Sequence, residues 1–134
     1  MRGQVWYLAL LIGAMCLVRG GLAAYGYWQP VGLMESLGAP AASNPQMPYI
    51  VRVWAIRDLV LAALVVLATP RTIKPLLLAC IVIDLTDVLS AHLAGADGLF
   101  DAAATDALKL TAIAALVPEC VALAVLLWRK PVRD

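Results

Sequence analysis

Six ionisable side chains lie deep inside the long apolar stretches of this chain, away from their ends, where a charge is costly. An ionised side chain within a bilayer costs about 2.5–3.5 kcal/mol on insertion scales, so it needs an internal partner or a function. All four apolar stretches carry at least one such residue, which predicts a polar site enclosed by helices. The six residues are Arg19, Arg57, Asp58, Asp84, Asp87 and Glu119.

Four carboxyls against two guanidinium groups leave an excess of acid in this set. Desolvation and neighbouring like charge favour the neutral carboxyl, so at least one should hold a proton at neutral pH. A proton donor beside a carboxylate suits general acid–base catalysis, and it also suits proton-coupled transport. Asp84 and Asp87 are the predicted acid and base. Arg57 and Asp58 would tune or orient them, and Glu119 would be a reserve acid.

Four stretches of roughly 20 residues predict helices long enough to cross a bilayer, at about 5–25, 49–69, 72–93 and 106–128. The first is expected to be retained rather than cleaved, because Arg19-Gly20-Gly21 is a poor cleavage site. Hydrophobic residues make up 63% of the 134 residues, and mean hydropathy is +0.89. We therefore predict one all-α domain over residues 1–134, an integral membrane four-helix bundle with a long outer loop over 26–48.

Basic residues predict the orientation of such a bundle. The loops 26–48 and 94–105 contain no Lys or Arg, whereas the opposite side of a four-span arrangement carries six. The positive-inside rule then places both termini in the cytoplasm of a cell, expected to be bacterial. The six residues are Arg2, Arg71, Lys74, Arg129, Lys130 and Arg133.

The charged residues also share a depth. At 1.5 Å of rise per residue, all but Glu119 lie about 18–22 Å from the cytoplasmic ends of their helices, and Glu119 lies at about 14 Å. Contact of Arg57, or of Arg19 in its place, with Asp84 or Asp87 is expected. Pro118 should kink the last helix beside Glu119. A purely structural pairing that locks the helices together remains the alternative for these charges.

Aromatic residues suggest where a substrate would bind. Trp54 lies one helical turn from the Arg57-Asp58 pair, and aromatic residues flank the 26–48 segment. Such aromatics are typical of a membrane interface as well. Within the segment, Val31–Leu37 could form a short helix, either a lid over the polar layer or an ordinary connector. The predicted substrate-binding residues are Arg19, Tyr25, Trp28, Tyr49 and Trp54.

Two polar motifs carry a family resemblance: R-V-W-A-I-R-D-L-V-L at 52–61 and I-D-L-T-D-V-L at 83–89. They resemble a family of small four-span bacterial and fungal membrane proteins, largely of unassigned function, with G-x-R-D-L-x-L-G in the second span and D-x-x-D in the third. The resemblance would cover most of the chain and implies the fold, but no activity. Ala55 and Ala62 stand where that family has glycines. The polar signature that it marks here is Arg57, Asp58, Asp84 and Asp87.

The leading hypothesis for function is a membrane-embedded enzyme that acts on a lipophilic small molecule by cyclisation, isomerisation or epoxide opening. In design, the arrangement also resembles the sterol isomerase and meroterpenoid cyclase group, which places acids between helices. No His/Cys spacing or nucleotide motif is present, so no cofactor and no metal are expected. The expected partners are the lipid bilayer and the lipophilic molecule, and a net charge of +1 gives no sign of nucleic acid.

Two alternatives remain open. A small proton- or cation-coupled transporter would use the same acids, would need access from both faces and would be expected to form a homodimer. An accessory membrane subunit would show every charge paired and no cavity.

Overall fold

The computed structural model describes residues 6–39 and 41–128, and this part of the chain is helical without strands. Five α-helices and one short 3-10 turn, Ala41–Ser43, follow one another with brief connections. The helices are α1 Trp6–Trp28, α2 Pro30–Ser36, α3 Met47–Val66, α4 Ile73–Ala96 and α5 Ala102–Trp128.

The prediction of a four-helix transmembrane bundle is wrong. Among the described residues, three helices are long and apolar enough to cross a membrane: α1, α4 and α5. The helix α3 has sufficient length, 20 residues, but it carries Arg52, Arg57 and Asp58. Three charged residues within these 20 residues make α3 too polar for a membrane span, because each charge adds its own cost to insertion into the bilayer.

The prediction of a long outer loop over 26–48 is also wrong. The helix α1 continues to Trp28, and α2 begins two residues later at Pro30. Proline is favourable at the first position of a helix, because the N–H that it lacks would have no partner within the helix there. Gly38, with φ +76°, lies in the turn that ends α2, a conformation that glycine adopts without strain. Pro30 and Gly38 therefore mark the beginning and the end of a helix in this segment.

The predicted orientation, with both termini in the cytoplasm, is not supported by three candidate spans. An odd number of crossings would place the two ends of the chain on opposite sides, whereas four crossings would place them together. In addition, Arg2, Arg129, Lys130 and Arg133 lie outside the described residues.

The helices associate mainly in two pairs, α1 with α3 and α4 with α5, and α1 also packs against α5. Small residues permit the close approaches: Gly95 of α4 lies against Thr105 of α5, and Gly20 of α1 faces Ala62 of α3. The short helix α2 lies across α1 and α3 at the C-terminal end of α1. Arg52 ties this end together by donating a hydrogen bond of 3.1 Å to the Tyr27 carbonyl oxygen.

A buried apolar cluster fills the opposite end of the molecule, near the start of α1. It draws on all four long helices and holds some of the least exposed side chains of the protein. Its buried members are Leu8, Met15, Cys16, Val65, Leu77, Cys80 and Ala122. The two ends therefore differ: one is closed by packed apolar side chains, and the other is covered by α2.

Candidate functional site

Arg19 is the centre of a buried ionic cluster that joins the four long helices. Its Nη1 lies 3.2 Å from Asp58 Oδ1 on α3, and its Nη2 lies 2.7 Å from Asp84 Oδ2 on α4. The same Nη2 lies 2.8 Å from Glu119 Oε1 on α5. Only 1% of the Arg19 side chain is exposed, and the three carboxyls are almost as deeply buried. Arg19 thus serves as the shared counter-charge of three acids, and its planar fork of donors suits that role.

Arg57 extends the cluster towards the surface. Its Nε lies 3.2 Å from Asp58 Oδ1, and its Nη2 lies 3.1 Å from Asp87 Oδ2. The side chains of Arg57 and Asp87 are 40% and 35% exposed, so this pair is half-buried. The expected contact between an arginine and the Asp84/Asp87 pair is therefore found twice, from Arg57 to Asp87 and from Arg19 to Asp84.

Helical geometry explains why neighbouring acids have different surroundings. Asp84 and Asp87 are three residues apart, so they lie on adjoining parts of one helix face and one turn apart in depth. Asp84 faces the buried Arg19, whereas Asp87 reaches the half-exposed Arg57. Asp58 is buried between the two arginines. It lies on α3, outside the three candidate spans, and burial raises the pKa of its carboxyl more than Arg19 and Arg57 lower it.

Two atoms of the buried cluster have no hydrogen-bond partner among the described residues: Arg19 Nε and Glu119 Oε2. Glu119 lies directly after Pro118, which α5 includes without ending. Proline has no N–H, so one backbone carbonyl of the preceding turn loses its usual partner. The acid furthest from the surface therefore lies in the least hydrogen-bonded part of the cluster.

A partly open cavity of about 440 Å³ lies between the ionic cluster and α2. The volume is within the range of about 300–1,000 Å³ that is common for small-molecule sites. Asp58, Asp84, Asp87 and Arg19 form its polar side. Its walls are apolar and come from every α-helix and from the α4–α5 turn, including Leu22, Val51, Ala91, Phe100 and Leu108.

The helix α2 forms part of this cavity. Leu33 and Met34 are buried, and with Leu37 they line the cavity. Gly26 of α1 makes this docking close, because a Cβ placed there would come within 2.7 Å of Leu33 Cδ2 and 3.2 Å of Trp54 Cζ3. The short helix suggested for Val31–Leu37 therefore exists and covers the polar layer.

The residues predicted from sequence fall into two groups. Arg19, Asp58, Asp84, Asp87 and Trp54 line the cavity. The others are placed elsewhere: Arg57 contacts cavity residues from outside, Glu119 lies behind Arg19, and three aromatics are largely exposed and away from the cavity. These aromatics are Tyr25, Trp28 and Tyr49.

The sequence-based selection missed the contribution of α5. Leu108, Thr111, Ala112 and Ala115 line the cavity. They precede Glu119 by 11, 8, 7 and 4 residues, so helical periodicity places all four on its face. The spacing is visible in the sequence, but these four residues are neither charged nor aromatic, so the sequence-based prediction did not include them.

The cavity does not continue beyond the ionic cluster. About one turn further along the helices, Met15, Cys16, Cys80 and Ala122 are buried. Cys16 Sγ lies 3.8 Å from the Ala62 carbonyl oxygen, which ties α1 to α3 below the cluster. No group of three His, Cys, Asp or Glu side chains in residues 6–39 and 41–128 is arranged to hold a metal ion. Arg19 occupies the position between the carboxyls that a cation would need.

Comparison of the chain with protein-family models, with curated proteins and with solved structures gives no match. The resemblance to small four-span membrane proteins therefore stays a prediction.

Proposed function

We propose that this protein is a membrane-embedded enzyme that uses buried carboxyls for acid–base chemistry on a lipophilic small molecule. The observation that carries the proposal is the cavity of about 440 Å³, which combines apolar walls with a polar side formed by three carboxyls and Arg19. Such a site can hold an apolar body while presenting proton donors and acceptors to one end of it.

The roles follow from position. Asp84 and Asp87 line the cavity, so they can touch a substrate. One carboxyl would deliver a proton to the substrate, and a neighbouring carboxylate would remove one from another atom. Isomerisation and cyclisation then leave the proton count unchanged. Epoxide opening does so too, since the acid protonates the ring oxygen as one C–O bond breaks and the carboxylate removes a proton from the adjacent carbon to give an allylic alcohol. Arg19 and Arg57 are positioning residues, since each holds a reacting carboxyl by an ion pair. Glu119 acts through Arg19.

Two features favour this function over the alternatives. An accessory subunit needs paired charges but no cavity, and here a cavity adjoins the pairs. A transporter needs access from the site to both ends of the molecule, and in this conformation the packed apolar cluster closes one end. A cavity closed on that side suits a reaction.

Proton transfer to carbon provides a direct test. We expect the protein, reconstituted in nanodiscs in D₂O, to place non-exchangeable deuterium into isoprenoid alkenes or to convert isoprenoid epoxides to ring-opened products, detected by mass spectrometry. The panel would offer each isoprenoid body with hydroxyl, epoxide and amine groups. Asp84→Asn and Asp87→Asn should abolish the reaction, because the amide keeps the shape but not the acid–base chemistry.

The matched control is Asp106→Asn, which makes the same charge change at a side chain 73% exposed and away from the cavity. Unchanged turnover is expected for this variant. Deuterium incorporation that persists in the Asp84→Asn, Asp87→Asn double variant would overturn the proposed chemistry, as would a panel without any turnover by the parent protein.

A further inference from the structure

The polar groups of the cavity are nearly all hydrogen-bond acceptors. Asp58, Asp84 and Asp87 contribute carboxylate oxygens. Ser90 and Thr111 contribute hydroxyls, but each already donates its hydrogen within its own helix, to the carbonyl oxygens of Thr86 at 2.7 Å and Ala107 at 2.8 Å. Their remaining capacity towards a ligand is therefore that of an acceptor.

Some of the acceptor capacity is unused. Asp84 is buried, with 5% of its side chain exposed, and it lines the cavity. Its Oδ2 accepts from Arg19, and Asp87 Oδ2 accepts from Arg57, whereas no donor of the described residues bonds to the Oδ1 atom of either residue. Both Oδ1 atoms keep some exposure, so a ligand in the cavity can donate hydrogen bonds to them. These two oxygens therefore favour a ligand that brings donors.

Donors facing the cavity are few. Arg19 commits Nη1 and Nη2 to carboxylates, and its Nε is buried. The indole N–H of Trp54 is the other donor in the lining, and the ring of a tryptophan attracts cations as well.

The net charge of the ionic cluster also favours a ligand that brings hydrogen-bond donors. The ionic cluster contains four carboxyls, on Asp58, Asp84, Asp87 and Glu119, and two guanidinium groups. With all groups ionised the cluster lacks two positive charges, and with one carboxyl protonated as the proposed acid it lacks one. A ligand with a cationic group would supply one of them in a poorly screened environment, where the attraction is strong.

We infer that the cavity takes a cationic amphiphile, a protonated amine on an apolar body, with the ammonium group at Asp84 and Asp87 and the body between α2 and α5. This deepens the proposed function and rests on it for the idea that the site holds a substrate. An ammonium group has three donors and no acceptor, which complements the free Oδ1 atoms and the two hydroxyls. An anionic or acceptor-only head group would meet acceptors of its own kind.

Binding of three probes with one tail tests the inference. Decylamine, decan-1-ol and decanoate would be titrated into the protein in zwitterionic nanodiscs, with empty nanodiscs subtracted to remove partitioning. An alkylamine, with a pKa near that of lysine at about 10.4, is protonated at neutral pH. We expect decylamine to bind at least tenfold more tightly than decan-1-ol and decanoate to bind most weakly.

Two variants test whether the ammonium group binds at Asp87. Asp87→Asn should bring the affinity ratio of decylamine to decan-1-ol close to one. Asp106→Asn, which gives the protein the same net charge as Asp87→Asn, should leave the ratio unchanged. Asp87 is chosen because it is half-exposed and pairs with Arg57, so its amide leaves the contacts of the buried Arg19 unchanged. Equal binding of amine and alcohol, tighter binding of decanoate, no binding of decylamine or a ratio unaltered by Asp87→Asn would each overturn the inference.

These outcomes separate the inference from the proposed function. Turnover of alcohols or epoxides without any preference for amines would overturn the inference and leave the enzyme proposal standing. Selective amine binding without deuterium transfer would support the inference and overturn the enzyme proposal.

Discussion

At the scale of single residues, two arginines of equal formal charge have unequal structural roles. Arg19 is buried and contacts carboxyls from three other helices, whereas Arg57 is 40% exposed and bridges its neighbour Asp58 to Asp87. Removing a charge from a buried network leaves its partners unpaired, whereas water can replace the partner of an exposed charge. The stability of the fold should therefore depend on Arg19 far more than on Arg57.

Arg19→Met should lower the free energy of unfolding by about 3–5 kcal/mol, since Asp84 and Glu119 lose their counter-charge and Asp58 keeps only Arg57. Arg57→Met makes the same chemical change at a half-exposed site and should cost about 0–1 kcal/mol. Reversible unfolding in mixed detergent micelles measures both. Equal losses for the two variants, or a larger loss for Arg57→Met, would contradict the central position of Arg19.

At the scale of elements, α4 and α5 approach closely because Gly95 has no side chain. A Cβ at Gly95 would come within 2.5 Å of Thr105 Oγ1, 2.7 Å of its Cγ2 and 3.2 Å of its Cβ. Thr105 is buried and branched at Cβ, so it has little freedom to move away. The separation of the two helices is thus set by this glycine, and with it the width of the cavity between them.

Gly95→Ala should destabilise the protein by about 1–3 kcal/mol through overpacking. Gly21→Ala is the matched control, because a Cβ at Gly21 of α1 meets no atom within 4 Å. Alanine is the better helix former by about 0.5–1 kcal/mol, so this control should be neutral or stabilising. Thermal denaturation in one detergent compares them. A Gly95→Ala variant as stable as the control would show that the two helices can separate freely.

At the scale of the whole molecule, the outer surface is apolar. Large hydrophobic side chains on the long helices face outwards, among them Leu17, 77% exposed, and Leu110, 65% exposed. A surface of this kind in water would be unfavourable, whereas lipid tails accept it. Together with the three candidate spans, it is the surface expected of a protein that resides in a membrane.

The protein should therefore stay with the membrane pellet after washing with alkaline carbonate and after washing with urea, and detergent should release it. A peripheral membrane protein carried through the same fractions would serve as the control and should be released by carbonate. Appearance of the protein in the carbonate supernatant would contradict membrane residence.

Composition and spacing by themselves predicted the four long helices and the charged residues that share one depth. Predicted starts at about 72 and 106 lie within a few residues of the observed helices Ile73–Ala96 and Ala102–Trp128, because long apolar runs leave the backbone few other ways to satisfy its hydrogen bonds. The shared depth of Arg19, Asp58 and Asp84 follows from the rise per residue alone. The stretch 49–69 also forms a helix, α3, but its assignment as a membrane span was wrong, because the prediction weighed the length of the stretch above its three charges.

Only the tertiary structure decided which groups meet and where space remains. Helix rotation determines whether Asp84 or Asp87 faces Arg19, because the two residues lie about 60° apart around the helix axis and a rotation of that size would turn the other carboxyl towards Arg19. The docking of α2 through Leu33 on Gly26 depends on a pair of residues that are unremarkable in the sequence. The cavity exists because α2 covers a space that the four long helices leave between them, and such a space is a property of their packing rather than of any local pattern.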